Sequence, residues 1–166
     1  MDRCLLFIAV FFCCLTSVEA QDVIVRHNGP ELHGKVNYVT ESMVVYTVAD
    51  EKKTSNLGKA EVEKIIYKSG RVEPISQKVE IHGQEDWDKI MVTSNPLLVV
   101  GLKKKGEIKV KSDRQAHGMA TFESRDLEKL KKQAAGMGAH VVVVDGYDGR
   151  MKPGNQKTET VSAYGY

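Results

Sequence analysis

The stretch Ser124–Asp145, SRDLEKLKKQAAGMGAHVVVVD, decides how the chain is built. Leu127, Leu130, Ala134 and Met137 recur at helical spacing on one face. Lys129, Lys132 and Gln133 cover the other, with Lys131 at the border. Ser124 stands at the N-cap position, and Asp126 and Glu128 place negative charge in the first turn, where the helix dipole favours it. Gly136 and Gly138 stop the helix, one of them as a left-handed C-cap. The valines 141–144 then run without alternation, which predicts a strand buried on both faces. The helix can cover only one. The other face is expected to meet either an N-terminal unit or a second copy of the chain.

Around this stretch the pattern is that of a sheet. Trp87 opens the unit, and Ile90 and Val92 alternate with Met91 and Thr93 until Asn95-Pro96. Leu97 to Leu102 is apolar, and Lys103-Lys104-Lys105-Gly106 reads as a turn into Glu107–Lys111. That segment alternates, with Ile108 and Val110 inward and the charges outward; its lysines suit an edge. Ser112 to Phe122 reads as irregular, and Asp145 to Gly154 as a glycine-rich loop before a last strand from Thr158 to Tyr166. The order predicted for residues 87–166 is β-β-β-α-β-β.

Residues 21–75 read as all-β. Val23 to Arg26 and Leu32 to Val39 flank the turn Asn28-Gly29-Pro30. Met43–Val48 and Val62–Tyr67 follow, separated by a polar loop from Ala49 to Gly58. Four or five short strands leave edges to be hidden, and a small SH3-like barrel does this economically. Residues 76–86 form a polar tether. The expected fold class is α+β: a small all-β SH3-like barrel followed by a sheet with one packed helix.

Residues 1–20 read as a cleavable signal peptide. The apolar run from Cys4 to Leu15 is too short to span a bilayer, and Val18-Glu19-Ala20 offers a small-residue cleavage site before Gln21. Cys4, Cys13 and Cys14 all lie in this leader, so the mature chain has neither disulfide nor thiolate ligand. Phe11-Phe12 before Cys13 does not make a lipobox. The expected location is periplasmic or secreted, with no transmembrane segment in the mature chain. Formal charge goes from 24 − 22 = +2 to 23 − 20 = +3 once the leader is gone. Mixed charge of this size does not point to nucleic acid.

The run L-x-x-x-A-A-x-x-G-A-H-V-V-V-V, Leu130 to Val144, with the ending Ser162-Ala163-Tyr164-Gly165-Tyr166, resembles two related groups. One is the Rcs stress-sensor lipoprotein with its relatives; the other is the YbjQ-like family, associated with heavy-metal binding. The resemblance covers about Ile90 to Tyr166 and implies an α+β envelope domain. The Rcs sensor is lipidated and disulfide-bonded, whereas this mature chain has no cysteine, and His140 stands where the family usually has asparagine. The N-terminal half resembles a small β-barrel module found at the start of envelope proteins.

Five histidines carry the candidate metal chemistry: His27, His33, His82, His117 and His140. His27 and His33 flank one turn and could face each other across a hairpin, a route to a two-histidine transition-metal site. Lone histidines are more often structural, and no H-E-x-x-H or EF-hand spacing completes a motif. No nucleophile elbow is present. Asp145, Asp148 and Arg150 are the one clustered acid–base set, and turn formation explains them as well. Trp87, Tyr164 and Tyr166 are candidates for a partner surface, with packing the ordinary alternative. Lys103 to Lys105 could meet anionic lipid or polysaccharide, or form a solvated hairpin tip.

The expectation is a non-enzymatic, soluble cell-envelope binding or stress-sensing module without a resident cofactor. Its partner would be an envelope protein or a second copy. A periplasmic metal-binding protein using histidines is the alternative, and a hydrolase the distant third.

Overall fold

The computed structural model describes residues 21–48, 51, 53–114, 120–151 and 157–166. Residues 1–20, expected to be a signal peptide, lie outside the described residues, as do His117 and Gly118. The chain is α+β, with two six-stranded sheets and one α-helix among the described residues.

The first sheet holds β1 (Asp22–Arg26), β2 (Leu32–Val39), β3 (Met43–Val48), β4 (Thr54–Gly58), β5 (Val62–Ile66) and β6 (Val72–Pro74). All neighbours are antiparallel, in the order β4-β3-β2-β1-β5-β6. Ile24, Val44, Tyr46, Leu57, Val62 and Ile65 form its core. The SH3-like barrel expected from the strand count is not closed, because β4 and β6 remain edges. β4 is also a correction, since Thr54–Gly58 reads as loop. As an edge strand it keeps Thr54 and Asn56 exposed and buries Leu57, so its polarity hides its conformation.

The second sheet holds β7 (Met91–Thr93), β8 (Lys103–Arg114), β9 (Ala120–Phe122), β10 (Val141–Val143), β11 (Tyr147–Met151) and β12 (Lys157–Gly165). Its order is β11-β9-β8-β12-β10-β7, with the β10–β7 and β11–β9 pairs parallel. The helix α1 (Ser124–Gly136) follows β9, so three strands precede it and three follow. β9 and β11 fall where irregular chain and a glycine-rich loop are expected. β9 is only three residues, all buried, and Gly146 and Gly149 at φ +69° and +82° mask the strand signal of β11. The run after Asn95 is no strand either. The Asn95 side chain accepts the Leu97 N–H at 3.0 Å, and Pro96 opens a 3-10 turn over Pro96–Val99. Lys103–Lys105 therefore start the long strand β8 instead of tipping a hairpin.

α1 begins one residue earlier than its N-cap signal implies, with Glu123 as the cap residue. Its end is a Schellman motif: Gly138 N–H donates to Ala135 O at 2.9 Å and Ala139 N–H to Ala134 O at 3.0 Å, with Gly138 at φ +68°. Leu127, Leu130, Ala134 and Ala135 meet Ile108, Val110, Val142, Val144, Val161 and Ala163 in the second core. The valines thus divide as the pleat demands. Val142 and Val144 face the helix, and Val141 and Val143 face away. Val141, beside Tyr164 and Met91 in register, is 1% exposed within the single chain. Cover ends there, because Val143 is half-buried and Met91 is 51% exposed.

Candidate functional site

The two cores meet at a histidine–tyrosine cluster. The Tyr166 ring stacks on His140, 4.2 Å between centroids and 29° between planes. It also lies tilted against His27 at 5.3 Å. The Val79 N–H donates to the Tyr166 hydroxyl at 3.4 Å, and the Lys105 ammonium donates to the Tyr166 carbonyl oxygen. His27 comes from the end of β1, His140 from the Schellman turn before β10, and Tyr166 from the end of β12. One aromatic ring therefore joins both sheets and the segment between them.

His27 is held by its neighbours. Its backbone N–H donates to Glu61 O at 2.9 Å, and its Nε2 lies 2.8 Å from Ser76 Oγ. Ser76 already donates its hydroxyl to Val62 O at 2.8 Å, so Nε2 must be the donor. Burial lowers the His27 pKa; Glu63 raises it and Lys78 lowers it, each less strongly. His140 is 3% exposed, and its Nε2 has no hydrogen-bond partner. Burial, with smaller contributions from His27 and Lys105, pushes it down to about 4. The imidazole is therefore neutral over the physiological range.

Beside this cluster lies a buried ion pair. Arg26 Nε and Nη2 both donate to Glu61 Oε1, at 2.9 and 2.6 Å, and Glu61 is 2% exposed. Burial nevertheless raises the Glu61 pKa, because desolvation outweighs the opposing pull of Arg26. Asp22, the other buried acid, accepts the amides of Val36 at 2.8 Å and Lys68 at 2.9 Å, tying three segments of the first sheet.

His27 and His33 are not brought together. His33 pairs with Val23 across β1 and β2, while His27 lies four residues further along, about 13 Å at strand rise. His33 and His82 are exposed. Trp87, Tyr164 and Tyr166 are each half-buried. Trp87 packs against the second core, with the Lys132 ammonium 5.9 Å from its ring centroid. Tyr164 sits half-buried opposite Val141. Asp145 is exposed, and the side chains of Asp148 and Arg150 lie outside the described residues. Among the described residues, no group of three or more His, Cys, Asp or Glu converges. Gln77–Glu80, His82 and Lys89 line an open groove of about 510 Å³. Its lysines are already paired, Lys78 with Glu80 at 3.3 Å and Lys89 with Asp86 at 2.6 Å.

Sequence reading missed His140 and Tyr166 as partners, since 26 positions separate them. The one available signal was a histidine in an otherwise apolar run. Comparison of the chain with protein-family models, curated proteins and solved structures returned no match.

Proposed function

We propose that this chain is a non-enzymatic binding module of the cell envelope, exported by residues 1–20 and acting through the open face of its second sheet. One observation carries this reading. α1 covers one face of that sheet, whereas Lys109, Lys111, Thr158, Thr160 and Met91 stay exposed on the other. The resemblance of residues 90–166 to envelope stress-sensor domains supports the location. No helix among the described residues is long and apolar enough to cross a membrane.

Lysine acetylation tests the reading. In cells, Lys109 and Lys111 should react more slowly than in the purified protein, while Lys129 on the helix reacts equally in both. Equal rates at all three positions would refute it. Export is tested by N-terminal sequencing, which should start at Gln21; a start at Met1 would exclude cleavage.

A second reading, transition-metal binding through histidines, is favoured by the unpaired, buried Nε2 of His140. Its natural companion is His27 instead of His33. Tyr166 lies against both imidazoles, so a shared metal would have to displace its ring. Zinc or nickel should then raise the melting temperature of the parent and of His33→Ala, but not of His27→Ala or His140→Gln. An equal response in all four proteins would remove the reading.

A further inference from the structure

The strand β8 carries Lys103, Lys104, Lys105, Lys109, Lys111 and Arg114 against Glu107 and Asp113, so 6 − 2 = +4 of formal charge sits on twelve residues. The whole chain carries only +2. Positive charge is therefore concentrated on this strand while the rest of the chain is net negative.

The pleat decides where that charge points. Ile108 and Val110 enter the core, so Lys109 and Lys111 stand on the face away from α1. Register places Thr158 opposite Lys111, Thr160 opposite Lys109 and Ser162 opposite Glu107. Lys109, Lys111, Thr158 and Thr160 are all exposed. Glu107, the acid of this row among the described side chains, is paired with Lys104 at 2.6 Å. Lys109 and Lys111 have no ion-pair partner among the described residues. Two lysines whose backbone positions are about 6.7 Å apart at strand rise thus run beside a row of hydroxyls.

We propose that this face binds a linear acidic polysaccharide laid along β8 and β12. Ammonium groups would meet its carboxylates, and the Thr158 and Thr160 hydroxyls would bond its hydroxyls. Single-stranded nucleic acid fits less well, because base stacking needs exposed aromatic platforms and Tyr164, the aromatic on this face among the described residues, is half-buried. The lysines also have a second use. β8 pairs with β12 from Lys103 to Ser112 but with β9 only at Asp113 and Arg114, and lysines guard such an open edge against strand addition.

The inference rests on the binding-module reading and names its ligand class. The full mature chain is titrated against polygalacturonate, with neutral dextran, oligo(dT) and phosphatidylglycerol vesicles as competitors for the assignment. Binding should weaken as salt rises. In Lys109→Glu/Lys111→Glu it should fall about tenfold or more, as expected for reversing two screened contacts. Arg125→Glu/Lys129→Glu makes the same charge change on the exposed side of α1, where Lys129 faces Asp126 at 3.7 Å, and should stay within about twofold of the parent. Glutamates keep the β8 edge charged, so an edge-guarding role alone predicts a monomer with unchanged binding. If the Glu variant melts far below the parent, Lys109→Gln/Lys111→Gln is read in the same way. No binding to polygalacturonate, equal loss in both variants, or tighter binding to oligo(dT) or vesicles overturns the proposal. If lysine protection in cells persists without polygalacturonate binding, the ligand class is wrong and the binding module stands.

Discussion

His140 is the residue whose chemistry the fold alters most. An imidazole with an ordinary pKa near 6.5 is held neutral by burial down to about 4. The unfolded chain protonates first as pH falls, so this group's contribution to stability is complete above pH 6.5 and is lost between 6.5 and about 4. The loss is on the order of 3 kcal/mol. His27, also lowered, acts in the same sense, and Glu61, raised, in the opposite one. Urea midpoints at pH 7 and pH 4.5 should lie closer together in His140→Gln than in the parent. A separation as large as the parent's would assign the acid sensitivity elsewhere. Arg26→Met should cost ~3 kcal/mol at pH 7, because Glu61 is left buried without its partner. Part of that loss should return at pH 5, when the carboxyl takes up a proton; a pH-independent cost would contradict the pairing.

Among the elements, α1 and its Schellman end set the geometry of everything after residue 136. Leu130 is 1% exposed in the second core, and Leu130→Ala should cost about 2–5 kcal/mol. A chevron or urea titration reads this directly; a change below about 1 kcal/mol would mean the helix face is not packed as described. Gly165 explains why the last strand can reach that helix end. A Cβ there would lie 2.6 Å from Gly138 O and 3.2 Å from Ala139 Cα. Gly165→Ala should therefore lower the melting temperature by several degrees, for a cost of roughly 1–3 kcal/mol from overpacking. An unchanged melt would show that β12 can shift at no cost.

At the level of the whole chain, two separate cores are joined at two places. Asn95 Nδ2 donates to Ser42 Oγ at 2.6 Å and Gly58 N–H to Val100 O at 2.7 Å, with the Gly58 backbone pressed against the Leu98 carbonyl oxygen. The other joint is Tyr166 between His27 and His140. Tyr166→Ala removes the larger side chain of the second joint without touching either core. Its thermal unfolding should broaden or split into two transitions, while the parent melts in one. A single sharp transition in both would place the coupling wholly at the Asn95–Gly58 contact.

The helix, its glycine stop, the valine strand and most of the first sheet are legible because their signals are local. A 3.6-residue period, a left-handed cap and β-branched runs need no distant partner. β4, β9 and β11 are not legible, because short or polar edge segments take their conformation from the strands they pair with. The same limit governs the sites. Amino-acid order placed His27 beside His33, which pairing then separated, and it gave no sign that His140 and Tyr166 would stack. Chain order settled the α+β class, the inward-facing Leu127, Leu130 and Ala134 of α1 and the outward lysines of β8, all consequences of side-chain period; Met137, read on the same helix face, falls at the C-cap instead and is 41% exposed. Tertiary structure alone decided that the first sheet stays open, that Val141 is buried within one chain, and that imidazole and phenol rings meet between two cores. Those outcomes depend on contacts between separate segments, 26 and 139 positions apart for the two rings against Tyr166, where burial and register act and local propensity has no reach.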